Sequence, residues 1–179
     1  MDYDSDGLYR LAITLQSGDI YIYDLKGNLL KEWSPRFIKE RSISPIQHAR
    51  VAAKDYLITI SQKGSVYLFN RKGKLYDQFP INLKTKIPFY SFLIEKKDNL
   101  KSSIINLLTE GGEFIQLDFQ GNSIKRKQLE NTTKKSSFKL IKKLQNQTWI
   151  IARLEQKGIT FLSQRATVLF NYNTDKPSH

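Results

Sequence analysis

A strand-like run closed at both ends by glycine occupies residues 63–73: Lys63-Gly64-Ser65-Val66-Tyr67-Leu68-Phe69-Asn70-Arg71-Lys72-Gly73. Its interior is rich in the β-branched and aromatic residues that favour strands, and its glycines are typical of tight turns. The same arrangement recurs at three further places, marked by Gly18 with Gly27, Gly112 with Gly121, and Gly158. Subtraction of residue numbers gives intervals of 46, 48 and 46 residues between the leading glycines. A period of about 40–50 residues built from short strands is typical of β-propeller blades.

The repeat therefore predicts an all-β fold, a β-propeller or partial propeller with about four blades of antiparallel strands. We place the blades of this single domain at residues 8–34, 45–81, 88–130 and 136–173. The third strand of the first two blades is expected at residues 29–33 and 75–79, and inner strands at residues 46–51, 88–94 and 138–141. Residues 139–144 also fit a short helix.

The two ends of the repeat are irregular. The first blade is preceded only by the polar residues 1–7 and lacks an inner strand, and the last blade is degenerate. These features favour a fragment of a larger propeller over a complete four-bladed ring, because blades bury their faces against neighbours. They leave open whether the ring is closed.

The second turn of each blade follows a spacing rule. Asp24, Asn70 and Asp118 each stand three residues before Gly27, Gly73 and Gly121. This spacing is typical of a type I turn with an Asx acceptor at its first position and glycine at its fourth. The predicted residues of the first turns are Gly18, Gly64, Gly112 and Gly158. In the fourth copy residues 164–167 replace the Asx-glycine motif, which predicts an altered turn or an incomplete blade.

Composition excludes several classes of protein. The 179 residues carry 29 Lys plus Arg against 17 Asp plus Glu, a net charge of +12, and no cysteine. Disulfides and thiolate metal sites are therefore excluded. No apolar run reaches the length of a membrane span, and residues 1–6 are acidic and polar, so we expect neither an anchor nor a secretion signal in the given sequence. The basic excess favours nucleic acid, anionic glycans or anionic lipid as partners, but a solvated rim and protected strand edges account for it as well.

Catalytic chemistry has one candidate, His48, on a predicted inner strand near the channel of a propeller. A structural histidine is favoured, because the sequence indicates neither a nucleophile nor an orienting carboxylate for it. Paired histidines, a spaced carboxylate cluster and a phosphate-binding glycine loop do not occur in the sequence. We therefore expect no enzyme, no cofactor and no metal.

Residues 63–73 resemble the repeats of quinoprotein-like (PQQ-like) propellers, in which a G-x-[IV]-Y-x-[YFL]-[DN] strand precedes a glycine turn. Residues 45–51 are similar to the inner-strand segment of the C-terminal propeller of large bacterial envelope proteins of unassigned function. The resemblance implies a propeller and a periplasmic or cell-envelope location. Enzymes of the family hold their cofactor with a stacked tryptophan, a calcium site and a catalytic aspartate. Here Trp33 and Trp149 fall in repeat register without an acidic calcium cluster, so a degenerate quinoprotein-like enzyme domain ranks third among the functions.

Two binding functions rank above the degenerate enzyme domain. As a non-enzymatic interaction or scaffold module, the chain would bind an unknown protein, and self-association through edge strands is a further alternative. The candidate contact residues are Trp33, Arg36, Phe37, His48, Arg50, Phe89 and Tyr90, although core packing is favoured for Trp33 and Phe89. As a binder of nucleic acid or another polyanion, it would use Lys134, Lys135, Lys139, Lys142 and Lys143.

Overall fold

The computed structural model describes residues 1–3, 7–33, 36–130, 136–142 and 148–173 and places them in four antiparallel sheets. The first sheet contains β1 (Leu11–Thr14), β2 (Asp19–Tyr23) and β3 (Arg36–Phe37). The second contains β4 (Gln47–Val51), β5 (Lys54–Ile60), β6 (Ser65–Asn70) and β7 (Ile81–Asn82). The third contains β8 (Phe92–Glu95), β9 (Ile104–Leu108), β10 (Glu113–Asp118) and β11 (Ser123–Gln128). The fourth contains β12 (Ser137–Lys142), β13 (Trp149–Glu155), β14 (Gly158–Leu162) and β15 (Val168–Asn173).

Strands that follow one another in the chain are neighbours in every sheet, so each sheet is an up-and-down meander. A short 3-10 helix, Lys31–Trp33, precedes β3, and the described parts of the chain contain no α-helix. In those same parts, no helix has the length and hydropathy needed to cross a bilayer.

Three buried apolar cores join the four sheets in chain order, because alternate side chains of a strand point to opposite faces of its sheet. The core between the first and second sheets includes Ile20, Ile22, Leu57 and Phe69. The core between the second and third sheets includes Ile58, Leu68, Ile105 and Leu117. The core between the third and fourth sheets includes Leu108, Phe114, Trp149 and Ile151. The sheets therefore stack face to face, as propeller blades do.

The turns that precede the outermost strands of the first three sheets are held by one acceptor side chain each. Asp24 Oδ1 accepts from the backbone N–H groups of Lys26 and Asn28, both at 2.9 Å, and Gly27 N–H donates to the Asp24 carbonyl at 3.1 Å. The same three bonds form around Asn70 and around Asp118. The predicted turn glycines with positive φ are Gly18, Gly27, Gly64, Gly73, Gly112 and Gly121.

The fourth blade keeps this turn with different residues. Ser163 Oγ accepts from the N–H groups of Arg165 and Thr167, both at 3.2 Å, and Ala166 takes the left-handed conformation with φ of +61°. A serine hydroxyl forms such turns more weakly than an Asx side chain but can replace it as the acceptor, so the turn forms without the Asx-glycine motif.

Gly158 is placed differently from the other leading glycines. It begins β14 and pairs with Glu155, so residues 156–157 alone connect β13 to β14. The glycine is required there by close backbone approach, since an added Cβ would lie 2.4 Å from the carbonyl oxygen of Tyr172 on β15.

The outer strands of the first two blades are the main correction to the sequence prediction. Residues 29–33 and 75–79 contribute only single bridges, Leu29 to Tyr23 and Leu75 to Phe69. The outer strands β3 and β7 lie further along the chain, because Trp33 and Phe79 turn inward and are buried in cores before the chain pairs again.

The inner strands differ from the prediction in the first sheet and agree with it in the fourth. The segment before β1 is not wholly unpaired: Asp2 forms a bridge with Tyr9, and Arg10 N–H donates to the Met1 carbonyl at 2.7 Å. In the fourth sheet, residues 137–142 form β12 and not a helix, and residues 143–147 lie outside the described part of the chain.

Candidate functional site

A groove lies where the chain passes from one sheet to the next, at residues 38–46 and 83–91. Its volume is about 220 Å³, and it is lined by residues 14–16, 42–45 and 89–90. We call it the Tyr90 groove. Because three separate segments form its walls, its shape depends on the packing of the first three sheets.

Tyr90 is the most exposed aromatic side chain of this groove, with 72% of its surface accessible. Its backbone has φ of +59°, a conformation that residues other than glycine rarely adopt. The Tyr90 N–H donates to the Ile43 carbonyl at 3.1 Å, which fixes the backbone in this position. A constrained backbone thus places a large aromatic side chain at the protein surface.

Phe89 and Arg41 extend the same surface. The Arg41 guanidinium lies 4.8 Å from the centre of the Phe89 ring, and its Nη2 donates to Gln16 Oε1 at 2.7 Å. Phe89 is partly exposed rather than buried in a core, so core packing, which the sequence favours, does not describe it. The groove therefore presents two aromatic rings, and one guanidinium lies beside it against Phe89.

Trp33 and Arg36 are placed by packing between the first two sheets. Trp33 is fully buried, its ring lies 5.6 Å from that of Phe69, and its Nε1 donates to the Arg71 carbonyl at 2.7 Å. Arg36 Nη2 donates to the Glu32 carbonyl at 3.1 Å. The Trp33 ring is consequently inaccessible to a partner, whereas Phe37 is exposed on the outer face of the first sheet.

His48 and Arg50 share a buried carboxylate that sequence reasoning missed. His48 Nε2 lies 2.8 Å from Asp55 Oδ1, and Arg50 Nη1 donates to Asp55 Oδ2 at 2.9 Å. The Asp55 side chain is only 1% exposed. The hairpin register explains the cluster, because Arg50 pairs with Asp55 and His48 with Leu57 across β4 and β5. That register, counted back from the turn at residues 52–53, is a signal that could have revealed the orienting carboxylate.

The predicted lysine patch is divided in the structure. Lys139 and Lys142 lie on opposite faces of β12, because their separation is odd and side chains alternate along a strand. Lys134, Lys135 and Lys143 lie outside the described residues. Lys142 instead meets Lys96 and Lys97, which were not predicted as site residues, around a cavity of about 350 Å³ at the opposite end of the sheets from the Tyr90 groove.

A metal site has no support within the described ranges, which contain no group of three or more His, Asp or Glu side chains able to hold an ion.

Burial raises the pKa of the Tyr3 hydroxyl, whose ring lies 5.6 Å from that of His48. This ring contact connects the first residues of the chain to the His48 cluster.

No family model matches the sequence, and no curated protein matches it. Among solved structures, the chain is similar to BBS1N in its crystal structure with ARL6DN, with 14% identity, a TM-score of 0.64, and coverage of 98% of this chain and 52% of that one. It is similar to BamB from Moraxella catarrhalis, with 13% identity, a TM-score of 0.56, and coverage of 97% and 50%. It is also similar to the WD40 domain of Toxoplasma gondii coronin, with 11% identity, a TM-score of 0.60, and coverage of 96% and 46%.

These similarities confirm the fold prediction: the chain is an all-β protein of the β-propeller class, built from four blade-like sheets. At such low identities they show the fold alone. The chain spans about half the length of the propeller structures that it matches. The resemblance to quinoprotein-like repeats finds no support from family models.

Proposed function

We propose that this chain is a non-enzymatic, protein-binding propeller module whose Tyr90 groove receives an apolar or aromatic side chain of the partner. The observation that carries the proposal is the exposed Tyr90 ring, next to Phe89 and Arg41. The Arg41 guanidinium lies 4.8 Å from the centre of the Phe89 ring. Tryptophan, tyrosine and arginine dominate the energetics of protein interfaces, because each adds a large contact area together with a polar group, and phenylalanine adds apolar contact area.

The fixed backbone of Tyr90 supports the same function. A backbone already held in its binding position loses little further conformational entropy when a partner binds, and this raises affinity. The groove, at about 220 Å³, is large enough for one or two side chains and too small for a typical small-molecule ligand. The BBS1N structure, which holds ARL6DN, is an example of a propeller of this general shape in complex with a protein.

A polyanion is the second candidate partner. Lys96, Lys97 and Lys142 come from the ends of two neighbouring inner strands and meet at one cavity, on a chain of net charge +12. Converging ammonium groups attract phosphate or sulfate, with an affinity that falls steeply as salt is added. One carboxylate, Glu95, also lines this cavity and reduces its positive potential.

One cross-linking experiment separates the two partners. A photoreactive phenylalanine analogue is placed at position 90, at position 97 and, as the control, at position 124, where Ile124 is 52% exposed on the outermost strand of the third sheet. We expect irradiated cells to give a defined protein adduct from position 90 and none from position 124. Tyr90→Ala should weaken binding of the identified partner by about tenfold or more.

Two results would count against protein binding at this groove. Adducts from position 97 alone, removed by nuclease or by glycan-degrading enzymes, would replace the protein partner with a polyanion. Equal adducts from positions 90 and 124 would mean that the Tyr90 groove has no special role.

A further inference from the structure

The outer face of the first sheet is apolar and unpartnered within the described residues. Strand register places five apolar side chains on it together with Asp19. These side chains are Leu11, Ile13, Tyr21, Tyr23 and Phe37. Leu11 is 58% exposed, although the opposite face of the same sheet is buried against the second sheet.

The corresponding positions in the third sheet show what such a face contacts in this fold. Counted from the leading glycines, Leu11, Ile13, Tyr21 and Tyr23 correspond to Ile105, Leu107, Ile115 and Leu117. Those four residues are almost completely buried, in the core shared with the second sheet. The outer face of the first sheet therefore has the side chains of a blade that packs against a preceding blade.

The outer face of the fourth sheet has the complementary character. Register places Ala152, Leu154, Ile159, Phe161, Phe170 and Tyr172 on it. The Phe161 and Phe170 rings stack at 4.5 Å, and Phe170 is 55% exposed. Lys139 is the one charged strand residue on this face, opposite in sign to Asp19 on the first sheet. The other face of the sheet is already buried against the third sheet.

We propose that a second copy of this chain covers both faces, so that the fourth sheet of each copy packs against the first sheet of the other. A two-fold axis relates the two contacts, and the pair forms one ring of eight sheets. Both contacts repeat the geometry of the three cores within the chain, and the propeller structures that the chain resembles are about twice its length. Covering both faces removes two large apolar patches from water, which favours association.

The test is the mass of the 179-residue chain in solution, measured by light scattering across a range of concentrations. We expect twice the 20.8 kDa chain mass for the wild type. Leu11→Glu on the first face and Phe170→Glu on the fourth face should each raise the dimer dissociation constant at least about tenfold while the circular dichroism spectrum is kept. Ile124→Glu, at 52% exposure on neither face, should leave the dimer intact.

Three outcomes would overturn the proposal. A wild-type monomer at every concentration means that another occupant covers these faces, such as further blades of a longer polypeptide. Open filaments mean that the contact does not close a ring. A dimer that Ile124→Glu disrupts as strongly as Leu11→Glu means that a different surface holds the copies together.

Discussion

Gly64→Ala is expected to lower the free energy of unfolding by about 3 kcal/mol, through a left-handed alanine and a backbone clash. The backbone at Gly64 has φ of +90°, and an added Cβ would lie 2.2 Å from the Thr85 carbonyl oxygen. The clash is not easily relieved, because Leu83 N–H donates to the Gly64 carbonyl and Ile87 N–H donates to the Gln62 carbonyl, both at 3.0 Å. Urea denaturation followed by circular dichroism measures the loss.

Gly27→Ala is the matched control. Gly27 has φ of +83° but no atom within 4 Å of an added Cβ, so only the cost of the left-handed backbone, about 1 kcal/mol, is expected. Equal losses of unfolding free energy at positions 64 and 27 would contradict the close packing of residues 83–87 on the turn between β5 and β6.

Trp33→Ala is expected to cost about 3–5 kcal/mol, the usual range for truncating a buried aromatic side chain. The ring fills the core between the first and second sheets beside Phe69, and its N–H satisfies the Arg71 carbonyl at 2.7 Å. Since the chain has 2 tryptophans, the variant leaves Trp149 as a fluorescent reporter of the core between the third and fourth sheets. Thermal unfolding followed by circular dichroism and by Trp149 fluorescence measures both regions.

Trp33→Phe separates packing from hydrogen bonding. The smaller ring retains much of the apolar contact and loses the donor to Arg71, so a loss of about 1–2 kcal/mol is expected. If Trp33→Ala instead leaves stability unchanged and reduces partner binding, the tryptophan is a contact residue and its buried position is wrong.

The repeat of the fold could be predicted from the sequence because each of the first three blades carries its own turn signals. Gly64 and Gly73 enclose one strand, and Asn70 supplies the acceptor of the turn, so local chemistry specifies β6 and its ends. The outer strands β3 and β7 could not be predicted, because their two-residue pairing depends on where Trp33 and Phe79 are buried in tertiary cores.

The candidate site was predictable only in part. Phe89 and Tyr90 were candidate contact residues by residue type, although core packing was favoured for Phe89, which is 39% exposed. The contribution of Arg41 requires the fold, since Arg41 comes from a separate segment. Asp55 was missed because its neighbours His48 and Arg50 approach it through hairpin register and not through sequence spacing alone. The lysine patch was predicted from charge density, which carries no information about the face of β12 on which each side chain lies.

Face-to-face stacking of the sheets in chain order underlies both the Tyr90 groove and the eight-sheet ring, and one engineered disulfide tests it. An added Cβ at Gly121, in the turn between β10 and β11 of the third sheet, would lie 3.2 Å from the Cβ of Gln78, in the segment between β6 and β7 of the second. Disulfides join Cβ atoms about 3.5–4.5 Å apart, so a small shift suffices. The chain has no cysteine of its own, and Gly27 offers the same turn position without that contact.

We predict that Gln78→Cys with Gly121→Cys forms an intramolecular disulfide under mild oxidation, identified by mass spectrometry of the digested protein, whereas Gln78→Cys with Gly27→Cys does not. Free thiols in the first pair, or equal cross-linking in both pairs, would contradict the stacking of the sheets.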